Sequence, residues 1–586
     1  MNSHGNLPIM FKINKNLIAI DTIRIIIFIF FLQNFTVLNL NAQYNLKLQS
    51  DTITNFSKKL KPFRNAVESP ISVDFGSFDE DVRDLQLLNK VSSKNSFTIR
   101  PYYTSRNENF DSILSMIDTS FSYYKNLVYK KHFIFALLPF STTLKYNSDH
   151  PYGFNDGPLN SSKGFQTLTT TGFYTKFSIL SLQLSPQFVN VNSYNYETRS
   201  DEYIYWGYKA PSFSKVYPGN SFLKLDIGKL SVGLSSQSLW YGPGVISSLL
   251  MSNNAPGFQH FTLATNRPLK TFIGNFQFEL LGGYLTRDTS QGSEVKYLKK
   301  LPEVNPYFNY VTQNELDLRY INSFVFSYNP SFLPNIFVGF SRFFINYNRE
   351  SVKDDFMNTY IPVIAGFYKK DYEDKINRDQ YISFNTRWIF PKDNAEAYLE
   401  FAYNDAFLNA RDFILDNGHA SSYLFGVKKL FPNENTKNKY FSILFEAERL
   451  GQTPSYIHRD GGHLYMHGQI LEGFTNDNQI MGSGIIIGSN MQTFKFSFNN
   501  SINKNEFIFR HISVDPSATP LSGNGINIGL NTIRWTDFGL GYISRLKYNN
   551  FLLTSHIEAV SSKNYLWVDK NQKINLFLMI NLAYLW

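Results

Sequence analysis

The chain of 586 residues contains no cysteine, so no disulfide framework holds it together. It also lacks a long apolar run. IIIFIFFL at 25–32 is too short to span a bilayer comfortably, and HFIFALLPF at 132–140 is the nearest later approach. A crossing built from helices is excluded, so membrane insertion would have to use strands. No compact Lys/Arg cluster with interleaved aromatics is present, which argues against a nucleic-acid partner. No nucleophile elbow sits on a strand–helix turn. His458 with Asp460, and His511 with Asp515, are isolated pairs, whereas a hydrolase would need a close Ser/His/acid cluster. His463 and His467 stand four apart, which on a strand places them about 13 Å from each other, too far to share an ion. Gly482-Ser483-Gly484 with Gly488 has no βαβ unit around it and is no nucleotide loop. No catalytic residue, metal site or cofactor follows from the sequence.

What the chain does have is aromatics, 17% of its residues, with 55 Phe and 37 Tyr. Transmembrane barrels use such residues for two interfacial girdles and for the lipid face. The last stretch, KINLFLMINLAYLW at 573–586, sets the pattern. Trp586, Tyr584, Leu582, Ile580, Leu578, Leu576 and Ile574 alternate with a second face that carries Ala583, Asn581, Asn575 and Lys573. Strict period 2 over more than ten residues specifies a strand long enough to cross a bilayer at a tilt. A terminal aromatic on such a strand resembles the closing strand of an outer-membrane β-barrel, the signal read by the barrel-assembly machinery.

The alternation recurs. Ala397, Leu399 and Phe401 alternate with Glu396, Tyr398 and Glu400; Phe441, Ile443, Phe445 and Ala447 alternate with Ser442, Glu446 and Glu448. One face suits lipid and the other water. Glu400, Glu446 and Glu448 are expected in the lumen, paired with Arg and Lys. The fold class is therefore all-β, a transmembrane antiparallel β-barrel of about 16–18 strands with a small N-terminal periplasmic helical segment. Connections should be unequal, with short turns such as Asn549-Asn550 and long loops such as 449–482.

Three segments are expected. Residues 1–42 read as a signal peptide, with Lys12, Lys15 and Arg24 ahead of or within the apolar stretch and Ala42 at a cleavage site. Residues 43–131 form an N-terminal periplasmic segment, with a helix over 111–131 whose Ile113, Met116, Ile117, Phe121 and Tyr124 share a face. Residues 132–586 form the barrel. Net charge is +9, of which +7 remains after the signal region. Such an excess suits anionic lipid or an acidic polymer.

Three stretches are more specific: PYGFNDGPLNSSKGFQTLTTTGFY at 151–174, LWYGPGVISSLLMSNNAPGFQHFTL at 239–263 and HLYMHGQILEGFTNDNQIMGSGIIIGSN at 463–490. In their order along the chain they resemble the Wzi family of capsule-assembly outer-membrane proteins. The resemblance implies an eighteen-stranded barrel with a periplasmic helical bundle, acting as a lectin that tethers capsular or exopolysaccharide at the surface. It implies an outer-membrane location, contact with membrane lipid, a monomer and no enzymatic activity. Read from the residues alone, Trp240 and Tyr241 offer faces for sugar stacking. Ser252, Asn253 and Asn254 offer hydroxyl and amide partners, and His467 joins them as a ligand-binding candidate. The competing reading of Gly242-Pro243-Gly244 and its neighbours is turn chemistry in a segment that plugs the lumen. The competing function is a diffusion or uptake channel for small or apolar solutes, which requires an open lumen.

Overall fold

In the computed structural model the described residues are 74–102, 125–194, 212–287, 318–348, 360–365, 378–404, 421–451, 464–514 and 533–586, apart from a few single positions or short gaps within these spans. The signal region at 1–42, residues 111–124 of the expected helix, and His463 and His467 lie outside them.

Period-2 alternation becomes one large antiparallel sheet of 24 strand segments. Five crossing strands are each broken into two segments, interrupted at 138–139, 171–172, 185–186, 218–221 and 266–268. All five breaks carry a proline or glycine: Pro139, Gly172, Pro186, Pro218 and Pro268. Proline lacks the N–H that a ladder needs, and a Cβ at Gly172 would meet the Leu184 carbonyl oxygen at 1.8 Å. Segment Lys125–Lys130 pairs only along Phe133–Leu137. Joining the broken strands and setting that segment aside leaves eighteen crossing strands among the described residues. The ring closes where Gln572–Tyr584 pairs with both Phe551–Lys563 and Phe140–Asn147, from Tyr584↔Phe140 to Phe577↔Asn147. Closure leaves no edge strand to aggregate.

Lys125–Lys130 is a strand, which corrects the C-terminal part of the helix expected over 111–131. Val128 and Tyr129 are β-formers, and the segment follows the edge that Phe133–Leu137 offers beyond the chain's last strand. The described N-terminal helix is instead α1, Asp79–Leu87.

The faces follow the alternation. Leu399 is 43% exposed on the outer wall, and its neighbour Glu400 is fully buried inside. At one end the turns are short, as at Asn549-Asn550, where Asn549 takes φ 51°. At the other end strands are separated by long stretches, for example between Arg449 and Ser489. Barrels of this class place short turns in the periplasm and long loops outside. The lumen is occupied by described residues. Side chains from 239–258, with Leu464, Tyr465, Ile470, Phe474, Ile480, Met481, Ile485 and Ile487, pack on wall residues Ile321, Val325, Phe343, Tyr381, Leu424 and Leu444 in one hydrophobic core.

Candidate functional site

Among the described residues four polypeptide segments fill the barrel: an N-terminal piece with α1, an inward loop at 148–163, a strap at 236–258 and the segment around 480. The strap carries five of the six candidate sugar ligands. Its entry is a two-residue ladder, Ile99↔Tyr241 and Arg100↔Trp240. It then turns at Gly242, whose φ of +134° suits glycine. A Cβ there would lie 2.5 Å from Glu400 Oε2 and 2.6 Å from Ser248 Oγ.

The turn carbonyls face the N-terminal piece. Arg83 Nη1 donates to Pro243 O at 2.7 Å, and Arg100 Nη2 donates to the carbonyls of Gly242 at 3.1 Å and Gly244 at 2.8 Å. The turn N–H groups face the wall. Val245 N and Ser247 N each donate to Glu446 at 2.8 Å, and Ile246 N donates to it at 3.1 Å. Tyr398 OH adds a fourth donor at 2.5 Å. Glu400 accepts from Leu249 N at 3.2 Å and Ser383 Oγ at 3.0 Å. The expectation of Arg and Lys partners is thus corrected for these two carboxylates. A strap crossing the lumen presents backbone donors that must be satisfied away from water, and a carboxylate can accept several of them.

Trp240, Tyr241, Ser252, Asn253 and Asn254 come together inside the lumen, each engaged by its own chain. Trp240 is 5% exposed and lies under the Arg100 guanidinium, 4.4 Å from its ring centre. Tyr241 is fully buried, with its ring centre 6.0 Å from that of Phe343. Ser252 donates to Gly482 O. Asn253 Nδ2 donates to Asn155 O at 3.2 Å, and Asn254 Nδ2 donates to Ile480 O at 3.0 Å. These amides and hydroxyls stitch the strap to the inward loop and to the segment around 480.

The N-terminal piece was not legible as part of this arrangement. α1 is polar almost all round, and in the lumen that polarity is matched by charge. Glu80 accepts from Lys428 at 2.8 Å, Lys495 at 2.8 Å and Lys504 at 3.1 Å. Asp81 meets Arg545 at 2.7 Å, and Arg83 meets Glu396 at 2.8 Å. Burial alone would raise the Glu80 carboxyl, but the three lysines override it and hold it well below the usual carboxylate range. The available signal was the run DEDVRD at 79–84, facing lumenal lysines and arginines close to short turns.

A Ser/His/acid cluster is present at the long-loop end. His150 Nδ1 lies 3.1 Å from Asp149 Oδ2, and His150 Nε2 lies 3.2 Å from Ser562 Oγ. Ser562 is 1% exposed, so its hydroxyl is closed off from a substrate. The Tyr565 ring packs on His150 at 4.7 Å. The arrangement clamps the inward loop to the wall.

A family model for the capsule assembly protein Wzi matches residues 143–513. Among solved structures, the chain is similar to Wzi of Escherichia coli, an outer-membrane protein involved in group 1 capsule assembly and a carbohydrate-binding β-barrel. Identity is 12%, covering 88% of this chain and 99% of that one, with a TM-score of 0.56. OpdQ of Pseudomonas aeruginosa is 7% identical over 76% of this chain and 96% of its own, with a TM-score of 0.37. OprD of the same species is 7% identical over 79% and 96%, with a TM-score of 0.36. A search of the curated proteins returns no match.

Proposed function

The chain belongs to the capsule assembly protein Wzi family, and on that premise we propose that it binds capsular or exopolysaccharide and holds it at the surface of the outer membrane. The polymer meets the long-loop end. Binding is non-enzymatic and built from many weak contacts, which summed along a chain give avidity. The observation that carries this reading is the filled lumen. A diffusion channel needs a continuous aqueous path, whereas here the strap, α1 and the inward loop pack against the wall. The buried candidates Trp240, Tyr241, Ser252, Asn253 and Asn254 serve the polymer by holding that plug beneath the loops, and His467 belongs to the binding surface.

The rest of the arrangement follows the same reading. Residues 1–42 direct export, 43–131 contain the periplasmic segment, and 132–586 contain the barrel. The closed ring makes a single chain sufficient, so the protein acts as a monomer in contact with membrane lipid. Trp586 donates from Nε1 to Leu138 O at 2.6 Å in the finished seam, the seam that the barrel-assembly machinery would close. The test is a pull-down of purified exopolysaccharide from the source strain by the detergent-solubilised protein, alongside conductance in a planar bilayer. Polymer capture with negligible conductance is expected. Steady conductance without capture would replace this reading with the channel.

A further inference from the structure

The short-turn rim of the barrel is divided in two. On one side the turns at 178–179, 271–273 and 331–335 expose Ile179, Phe272, Ile273, Phe332 and Leu333, with Phe272 at 92% and Phe332 at 76%. The remaining turn of that side, Gly228-Lys229, is flanked by exposed Ile227 and Leu230. On the other side the turns at 391–394, 433–438, 501–502 and 549–550 expose no large apolar side chain among the described residues. They hold Lys392, Asp393, Glu434 and a series of asparagines instead. Around the ring the four apolar hairpin ends are consecutive, and so are the four polar ones.

Hydrogen bonds tie two of the apolar tips together. Ser331 N donates to Ile273 O at 2.9 Å, and Tyr328 OH donates to the same carbonyl at 2.8 Å. Asn329 Nδ2 donates to Pro334 O at 3.0 Å. Phe272, Ile273, Phe332 and Leu333 are thus held as one patch, and a contiguous exposed apolar patch marks a surface with a partner.

The surroundings of the patch say what covers it. Leu223, Leu225 and Ile227 descend the outer wall to the turn at Gly228, and Val338 stands on the outer face next to 331–335, so the tips continue the lipid-facing wall. Lys229 and Lys270 stand beside these turns, and Asp226 nearby is paired with Lys176 at 3.1 Å. Apolar side chains with lysines at their margin match the boundary between acyl chains and anionic phosphates. A second copy does not fit, because two barrels in one membrane stand side by side and cannot bring their short-turn rims face to face. The polar side meets water: there the N-terminal piece reaches the rim through exposed Asn89 and Lys90, which donate to Pro391 O and Asn438 Oδ1, both at 2.8 Å.

We propose that this rim is seated asymmetrically in the inner leaflet of the outer membrane. The turns at 178–179, 271–273 and 331–335 are immersed in phospholipid at the headgroup boundary, and those at 391–394, 433–438 and 549–550 stand in periplasmic water. Lipid contact therefore does not stop at the strand ends but wraps around the turns on one half of the rim.

The absence of cysteine allows a direct test by single-cysteine labelling. Phe272→Cys, Leu333→Cys, Glu434→Cys and Asn549→Cys, each in the full protein, are labelled with a nitrobenzoxadiazole fluorophore and placed in nanodiscs of phosphatidylethanolamine and phosphatidylglycerol. Heat-modifiable gel migration shows each variant folded. Phosphatidylcholine carrying a nitroxide near the headgroup end of an acyl chain should quench the labels at 272 and 333 at least about threefold more than those at 434 and 549, and aqueous iodide should reverse the order. Equal nitroxide quenching at all four positions would overturn the proposal. Labels at 272 and 333 that iodide quenches and the nitroxide does not would also overturn it, and would leave the patch to a periplasmic protein. Neither result depends on polymer capture, so this seat and the polysaccharide reading stand or fall separately.

Discussion

Glu446 is where a single side chain does most to hold the plug, because three successive backbone N–H groups and one phenol converge on its carboxylate. A hydrogen bond to a charged group contributes about 1.5–3 kcal/mol. Glu446→Ala should therefore destabilise the barrel by at least about 3 kcal/mol, since it strands several buried donors together. Glu446→Gln, which keeps one oxygen acceptor, should cost less. The temperature at which the folded band is lost on semi-native gels checks both. Gly242→Ala should also destabilise, by about 2 kcal/mol, because its φ of +134° is strained for a side chain and its Cβ would sit 2.5 Å from Glu400. Folded yield and the same melting readout report on it. At this scale the sequence was half legible. Alternation put Glu400 and Glu446 in the lumen, where they are. It could not say that a loop from 150 or more residues away would fold back to meet them, so arginine and lysine partners were expected instead. Ser252, Asn253 and Asn254 have the groups of a sugar site, but the same groups join loops, and composition does not separate the two uses.

The strap and α1 act together as an inner scaffold. α1 was missed because helix recognition depends on an apolar stripe, and this helix presents Asp79, Glu80, Asp81, Arg83 and Asp84 within its first six residues. Its stability comes from ion pairs to the wall. Removing one partner of a buried pair typically costs 3–5 kcal/mol. Glu80→Gln leaves Lys428, Lys495 and Lys504 mutually repelling around a neutral amide. Hydrogen exchange of the amides of α1 should then quicken by roughly a hundredfold, corresponding to about 3 kcal/mol, while the wall strands stay protected. Equal quickening of wall and helix would instead mean that α1 is integral to the barrel's global stability. The strand elements were far easier to foresee. Phe551–Lys563 and Gln572–Tyr584 alternate cleanly between lipid and lumen faces and join through a regular register, and their Asn549-Asn550 neighbour turns where two asparagines favour it. The breaks at Pro139, Gly172, Pro186 and Pro218 line up only in three dimensions, so their shared position across neighbouring strands is invisible along the chain.

At the scale of the whole molecule, the described residues form a closed ring of eighteen strands with its interior occupied, and the proposal makes the long-loop end the platform for a polymer. The strand number fell at the top of the range expected from length. The family resemblance carried by 151–174, 239–263 and 463–490 includes the plug residues Tyr152, 239–258 and 480–487, whose contacts constrain several residues at once. The basic excess makes a further prediction. If the polymer is acidic, capture should weaken steadily as ionic strength rises from 0.05 to about 0.5 M, because exposed charges are screened beyond about a Debye length; capture indifferent to salt would assign binding to stacking and neutral hydrogen bonds. The most direct test of the central claim is made on cells. Parent and deletion strains are grown, the cells are sedimented, and high-molecular-weight polysaccharide is quantified in pellet and supernatant. Unchanged total polymer that moves from pellet to supernatant on deletion is the predicted result. An unchanged partition, accompanied by lost uptake of a solute, would contradict the tethering account.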